Sequence, residues 1–132
     1  MKNSDHPVSL MDQVKAIPGG ESVSVCFSCG TCVSRCLIQQ KVEKTYNPRR
    51  MMKMVIMDMR ESAFDSPTTW LCSSCDLCYS ACPQEIHISG VITAVKKLAI
   101  AKGKQSPLKT ARVNVKTCVA CGLCVEVCPY EA

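Results

Sequence analysis

The chain has 132 residues, 16 Lys and Arg against 11 Asp and Glu, and 12 cysteines. At this length it holds one domain or two very small ones, and one Trp, three Tyr and two Phe give it little aromatic bulk for a core. Residues 1–20 lack the continuous apolar segment of a secretion signal, and the longest apolar stretch, Val91–Ala101, is interrupted by Lys96 and Lys97, so a cytoplasmic chain with no direct membrane insertion is expected rather than a secreted disulfide scaffold.

Residues 1–20 are polar and end in Pro18-Gly19-Gly20, which reads as a tail running into a turn. A first unit is expected over 21–104. It opens with Cys26, Cys29, Cys32 and Cys36. Asn47-Pro48 then predicts a capped helix start, with a helix to about Arg60. A second run follows, Cys72, Cys75, Cys78 and Cys82, with the same internal spacing. Ser89 is the expected cap of a further helix, whose apolar Val91, Ile92, Val95, Leu98 and Ala99 recur at helical spacing and which stops at Gly103. Residues 103–111 read as a linker, and Arg112–Lys116 alternates polar and apolar residues in the manner of a short strand. A third run, Cys118, Cys121, Cys124 and Cys128, lies in a separate segment, 105–132.

All 12 cysteines thus fall into three C-x2-C-x2-C-x3-C runs. Three thiolates two residues apart can wrap one face of a four-iron cube, while the fourth cysteine of the run is carried towards a different cluster. The pattern fits [4Fe-4S] ligation far better than the spacings of zinc ribbons, and every cysteine is a candidate ligand. Pro83 and Pro129 follow the last cysteines of their runs in the usual way, whereas Leu37 follows Cys36, so the chain is expected to remain helical through Leu37–Gln40. Three cubes with their thiolates carry about −2 each when oxidised, which would bring the formal +5 to about −1. The basic excess is then counter-charge for buried anions, and without aromatics interleaved among the Lys and Arg no nucleic-acid partner is expected.

The run CFSCGTCVSRC, the NPRRMM helix start, the Trp70-Leu71 entry to CSSCDLCYSACP and the closing LAIAKG helix together resemble the C subunit of heterodisulfide reductase. The resemblance covers about 24–104 and implies a mainly α fold, a small helical two-cluster ferredoxin that wires an electron-donor subunit to a catalytic oxidoreductase subunit in a hetero-oligomer. It also implies crossed ligation: Cys26, Cys29 and Cys32 with Cys82 on one cluster, Cys72, Cys75 and Cys78 with Cys36 on the other. The last segment, VNVKTCVACGLCVEVCPYEA, is similar to half of a bacterial ferredoxin. A third [4Fe-4S] cluster is expected there, its fourth ligand being Cys128, a partner's residue, or a cysteine of a further run.

Among the other residues, Met51, Met52, Met54, Met57 and Met59 are expected to pack their helix on several sides, with a docking groove as the alternative. Arg49 and Arg50 lie at the unfavourable helix end for cations and are read as surface residues, or as residues facing cluster charge. His87 is not expected to ligate, and Trp70 is expected to lie over a cluster. No nucleophile–base constellation and no phosphate-binding glycine pattern is present, so the expected role is a non-catalytic electron-transfer subunit of an anaerobic oxidoreductase, relaying single electrons. Alternatives are the electron-transfer subunit of a tungsten-dependent aromatic-ring (benzoyl-CoA) reductase, a free ferredoxin-like carrier, and a zinc-binding interaction module.

Overall fold

A computed structural model describes residues 8–108 and 113–127, and these form short helices with no strand among them. The first helix, α1 (Leu10–Lys15), occupies ground expected to be tail. Ser9 caps it, its hydroxyl accepting the Asp12 amide at 3.1 Å, and Leu10 and Val14, one turn apart, are fully buried. A helix of six residues with one apolar face is enough to make a segment structural once a partner surface exists. The Gly19–Gly20 turn that follows packs on a later helix at Gly90, where an added Cβ would lie 2.6 Å from the Gly19 carbonyl oxygen.

The first cysteine run leads into α2 (Thr31–Ser34), and α3 (Leu37–Lys41) starts directly after Cys36, as the missing proline predicts. Helix α4 (Pro48–Ile56) begins as expected: Asn47 Oδ1 accepts the Arg50 amide at 2.9 Å, and Pro48 occupies the first turn. It stops earlier than Arg60, because Asp58 takes a left-handed conformation (φ 54°) and the Met59 and Asp58 amides close back on the Met54 and Val55 carbonyls. That is the hydrogen-bond pattern of a Schellman stop built without glycine. The chain resumes as α5 (Arg60–Asp65) and α6 (Pro67–Leu71), the latter capped by Ser66.

After the second run come α7 (Leu77–Ser80) and α8 (Ile88–Ala101), the longest helix. Ser89 lies inside α8 rather than at its cap, and the helix ends at Gly103 (φ 81°), with Lys104 N–H returning to the Ala99 carbonyl at 3.0 Å. Helices α1, α4, α5, α6 and α8 enclose one core of Leu10, Val14, Val23, Met51, Met52, Met54, Val55, Phe64, Trp70, Val91, Ile92 and Val95. Three of the five methionines of the 51–59 stretch are in it, while Met57 and Met59 are exposed.

Around the third run the expected strand is absent from the described residues 113–116. Asn114 instead makes a turn, its side chain accepting the Lys116 amide at 3.1 Å and its carbonyl accepting the Thr117 and Cys118 amides. No neighbouring strand competes for these groups, so local Asn bonding wins. A one-turn helix, α9 (Leu123–Glu126), follows, and 113–127 are exposed throughout. Arg112 and Cys128 lie outside the described residues. No helix among the described residues is long and apolar enough to cross a membrane.

Candidate iron-sulfur centres

Each cysteine run is shaped by the same two backbone positions. The residue before the second cysteine is left-handed in all three, Ser28 (φ 61°), Ser74 (53°) and Ala120 (54°), and so is the residue after it, Gly30 (88°), Asp76 (58°) and Gly122 (78°). A helical turn starts immediately beyond, carrying the third cysteine. Left-handed residues alternating with ordinary ones turn successive amides into a concave nest, the backbone form that receives anionic groups and iron-sulfur sites.

The first two runs are brought together because α2 packs against α7. Cys26, Cys29, Cys32 and Cys82 line one cavity, with Gly30, Thr31, Arg49, Met52, Ile86 and Ile88. Cys36, Cys72, Cys75 and Cys78 line another, with Ile38, Tyr46, Pro48, Asp76 and Ser89. In each cavity the last cysteine of one run therefore sits with the first three of the other. The cavities match in size, ≈ 290 and ≈ 300 Å³ of space counted out to the mouth. Each has one buried thiol (Cys32, Cys36), one exposed thiol (Cys29, Cys75) and two of intermediate burial.

The donor set fits a four-iron cube. Eight soft thiols divide four and four around spaces that side chains leave open, and none of the eleven described cysteines is in a disulfide. Among the described residues no three Cys, His, Asp or Glu side chains crowd closely enough to grip a single ion, which a zinc site requires. Burial and the neighbouring Cys26 and Cys29 push the Cys32 thiol up to about 11, and burial with Cys72 and Cys32 pushes Cys78 up to about 12. Without a cationic core these thiols stay protonated; as thiolates they call for metal. Cys32 on α2 and Cys78 on α7 bring the two cavities next to one another where these helices pack. Cys29 is held below the ordinary thiol range, first by the Thr31 hydroxyl at 3.3 Å and to a smaller degree by Arg49.

Other residues fall differently from expectation. Trp70 touches neither cavity: its indole N–H donates to the Phe64 carbonyl at 2.9 Å inside the helical core. Its place beside a cysteine cavity is taken by Tyr46, which is buried against Cys72 and has its phenol pKa driven upward, first by burial and then by the surrounding thiols. Nothing in the sequence marked Tyr46, because a single aromatic ahead of a helix cap has no periodicity. Asp76 was equally unmarked, although Gly30 and Gly122 at the same place in their runs point to a left-handed position. It accepts a hydrogen bond from Ser89 and lies 3.2 Å from His87 Nε2, tying the second run to the start of α8. His87 lines neither cavity. Cys118, Cys121 and Cys124 share the loop conformation of the other runs but are exposed.

Two family patterns, both described as a 4Fe-4S dicluster domain, match residues 22–86 and 71–132. Among similar proteins are the C subunit of the H(2):CoB-CoM heterodisulfide,ferredoxin reductase of Methanothermobacter marburgensis (28% identical; 76% of this chain, 52% of the relative) and the C 2 iron-sulfur subunit of the CoB–CoM heterodisulfide reductase of Methanocaldococcus jannaschii (28%; 65% and 45%). A third, from Archaeoglobus profundus, is named as a protein like the heterodisulfide reductase C subunit (31%; 61% and 42%). The chain spans about half the length of these curated relatives. With crossed runs around two matched cavities, dicluster patterns over both halves and these relatives, the chain is a mainly helical, [4Fe-4S]-type iron-sulfur protein similar to the C subunit of heterodisulfide reductase.

Proposed function

We propose that the chain is a non-catalytic electron-transfer subunit of a larger cytoplasmic, anaerobic oxidoreductase complex of the heterodisulfide reductase kind, placed between an electron-donor subunit and a catalytic subunit. A [4Fe-4S] cluster supplies one-electron chemistry when bound. Cys26, Cys29, Cys32 and Cys82 hold the first, and Cys72, Cys75, Cys78 and Cys36 the second. Cys118, Cys121 and Cys124, with Cys128 as the fourth candidate, hold a third. The single observation that carries the reading is the partition of eight thiols into two equal cavities, each completed by the other run's last cysteine. The chain's own residues bind, shield and electrostatically bias these groups, and the packing of α2 on α7 sets the Cys32 and Cys78 turns side by side between the cavities.

Anaerobic purification with the natural neighbouring subunits tests the subunit role. A brown protein that co-purifies with a large catalytic chain is the expected result; a brown monomer makes it a carrier, and a colourless zinc protein overturns the reading. Cys36→Ala tests the crossing. It should disturb the spectroscopic signature that Cys75→Ser also disturbs, and a change confined to the signature shared with Cys29→Ser means that each run closes on its own cube.

A further inference from the structure

The two cavities are alike in the burial pattern of their cysteines and differ in the charged side chain that lines each. Potentials respond to hydrogen bonds at the sulfurs, to solvent exposure and to nearby charge. Each cavity has a hydroxyl against one of its thiols, Thr31 at Cys29 and Tyr46 at Cys72. Their sizes agree, and each has one buried, one exposed and two half-buried cysteines. Among the described residues, Arg49 is the one charged side chain lining the first cavity and Asp76 the one lining the second.

Asp76 is held by neighbouring side chains, whereas Arg49 is an exposed side chain placed by its helix turn. Arg49 sits in the first turn of α4, behind the Asn47 cap, and passes over the first run where Gly30 leaves room: a Cβ there would lie 3.5 Å from its Nη1. Its guanidinium brings a positive charge to the cavity. Asp76 stands at the position equivalent to Gly30 and is anchored by the Ser89 hydroxyl. Arg50, one residue on, lines a different surface hollow with Met54, Ser62 and Asp65. The placing of a cation in a helix's first turn, unfavourable for the helix itself, is then explained by the anionic group it faces.

We propose that Arg49 raises the electron affinity of the group in the Cys26–Cys29–Cys32–Cys82 cavity while Asp76 lowers that of the group in the Cys36–Cys72–Cys75–Cys78 cavity, so that one electron given to the pair rests at the Arg49 end. This builds on the ligand sets proposed above. Arg49 and Asp76 are tuning residues that ligate nothing.

The test is a redox titration followed by electron paramagnetic resonance on the full-length, anaerobically prepared holoprotein. Cys29→Ser and Cys75→Ser assign the two signals. In the unmodified protein the Cys29-linked signal should appear at the higher potential. Arg49→Gln should shift the reduced population at that site about tenfold towards the oxidised form, ~59 mV for a one-electron couple, and leave the other signal in place. Arg49→Lys should restore most of the shift, Arg50→Gln should move neither signal, and Asp76→Asn, which keeps the left-handed backbone and the Ser89 partner, should raise the second. Equal potentials in the unmodified protein, or an Arg49→Gln shift shared equally by both signals, overturns the proposal. Should Arg49→Gln lose iron, the order of the unmodified signals and the Asp76→Asn shift decide. Cys29→Ser and Cys75→Ser disturbing one and the same signal would instead sink the ligand sets, which separates the two failures.

Discussion

At the scale of single residues, the loop that receives a cluster depends on backbone conformations that most side chains resist. Gly30 is the clearest case. An added Cβ meets nothing closer than 3.5 Å, so a substitution there is penalised by φ 88° and not by a clash. A β-branched residue in that conformation costs about 1–2 kcal/mol, whereas Asn tolerates it through local bonding. Gly30→Val is therefore expected to lower iron and sulfide retention at the first site under mild chelation, with Gly30→Asn close to the unmodified protein. Equal retention in all three would show that the ligands, and not the preformed loop, dictate assembly. The same residue scale explains what was legible in the sequence. Cysteine spacing marks candidate ligands directly, because thiolates two residues apart can wrap one face of a four-iron cube. Tyr46, Arg49 and Asp76 act through space from outside that pattern, and only the folded arrangement of α2, α4 and α7 reveals which cavity each one lines.

At the scale of elements, the start of α4 was readable and helix partners were not. Asn47-Pro48 announces α4 through capping chemistry that needs no tertiary context. The stop at Asp58 does need context: its carboxylate accepts the Leu10 amide at 2.7 Å at the head of α1 and faces Arg60 at 3.5 Å. Arg60, buried, also donates to Gln13 Oε1 at 2.8 Å and to the Val8 carbonyl at 3.1 Å. An expected tail is thus clamped onto the α4–α5 corner by groups about fifty residues away, invisible to a local reading of 1–20. Arg60→Ala leaves Gln13, the Val8 carbonyl and Asp58 without this donor, and about 1–3 kcal/mol of stability should be lost. Urea unfolding of the anaerobic holoprotein checks the magnitude, and limited proteolysis checks the place, with new cleavage expected between Val8 and Gly20. Unchanged proteolysis with lowered stability would mean that Arg60 supports α5 rather than α1.

At the scale of the whole molecule, the described helices are short, several of only four or five residues, and helices of that length do not stand alone in water. The α1–α4–α5–α6–α8 core holds one side of the protein, and α2 and α7, which carry cysteines, pack on α4 and α8, where cross-linking by clusters would add order. Joining runs separated by roughly fifty residues is worth on the order of 4 kcal/mol of chain entropy by the cross-link relation, comparable to much of a small domain's stability. Crossed ligation, as proposed, would close two such loops at once. Among the described residues the third run has no such partner: its nearest sequence neighbour is the second, and the 71–132 dicluster pattern pairs those two, yet Cys82 sits with Cys26, Cys29 and Cys32. One cysteine cannot complete two cubes. If Cys118, Cys121 and Cys124 hold a cluster, its fourth ligand is Cys128 or comes from outside the stretch described, and the exposed run is the least protected of the three. Anaerobic protein should then contain about twelve iron and twelve sulfide per chain, four of each per cluster. Graded chelation should remove the first third without loss of the cooperative thermal transition, and the remainder together with it. About eight of each at the outset would leave the third run empty, and loss of the transition with the first irons removed would place the third cluster inside the folded unit.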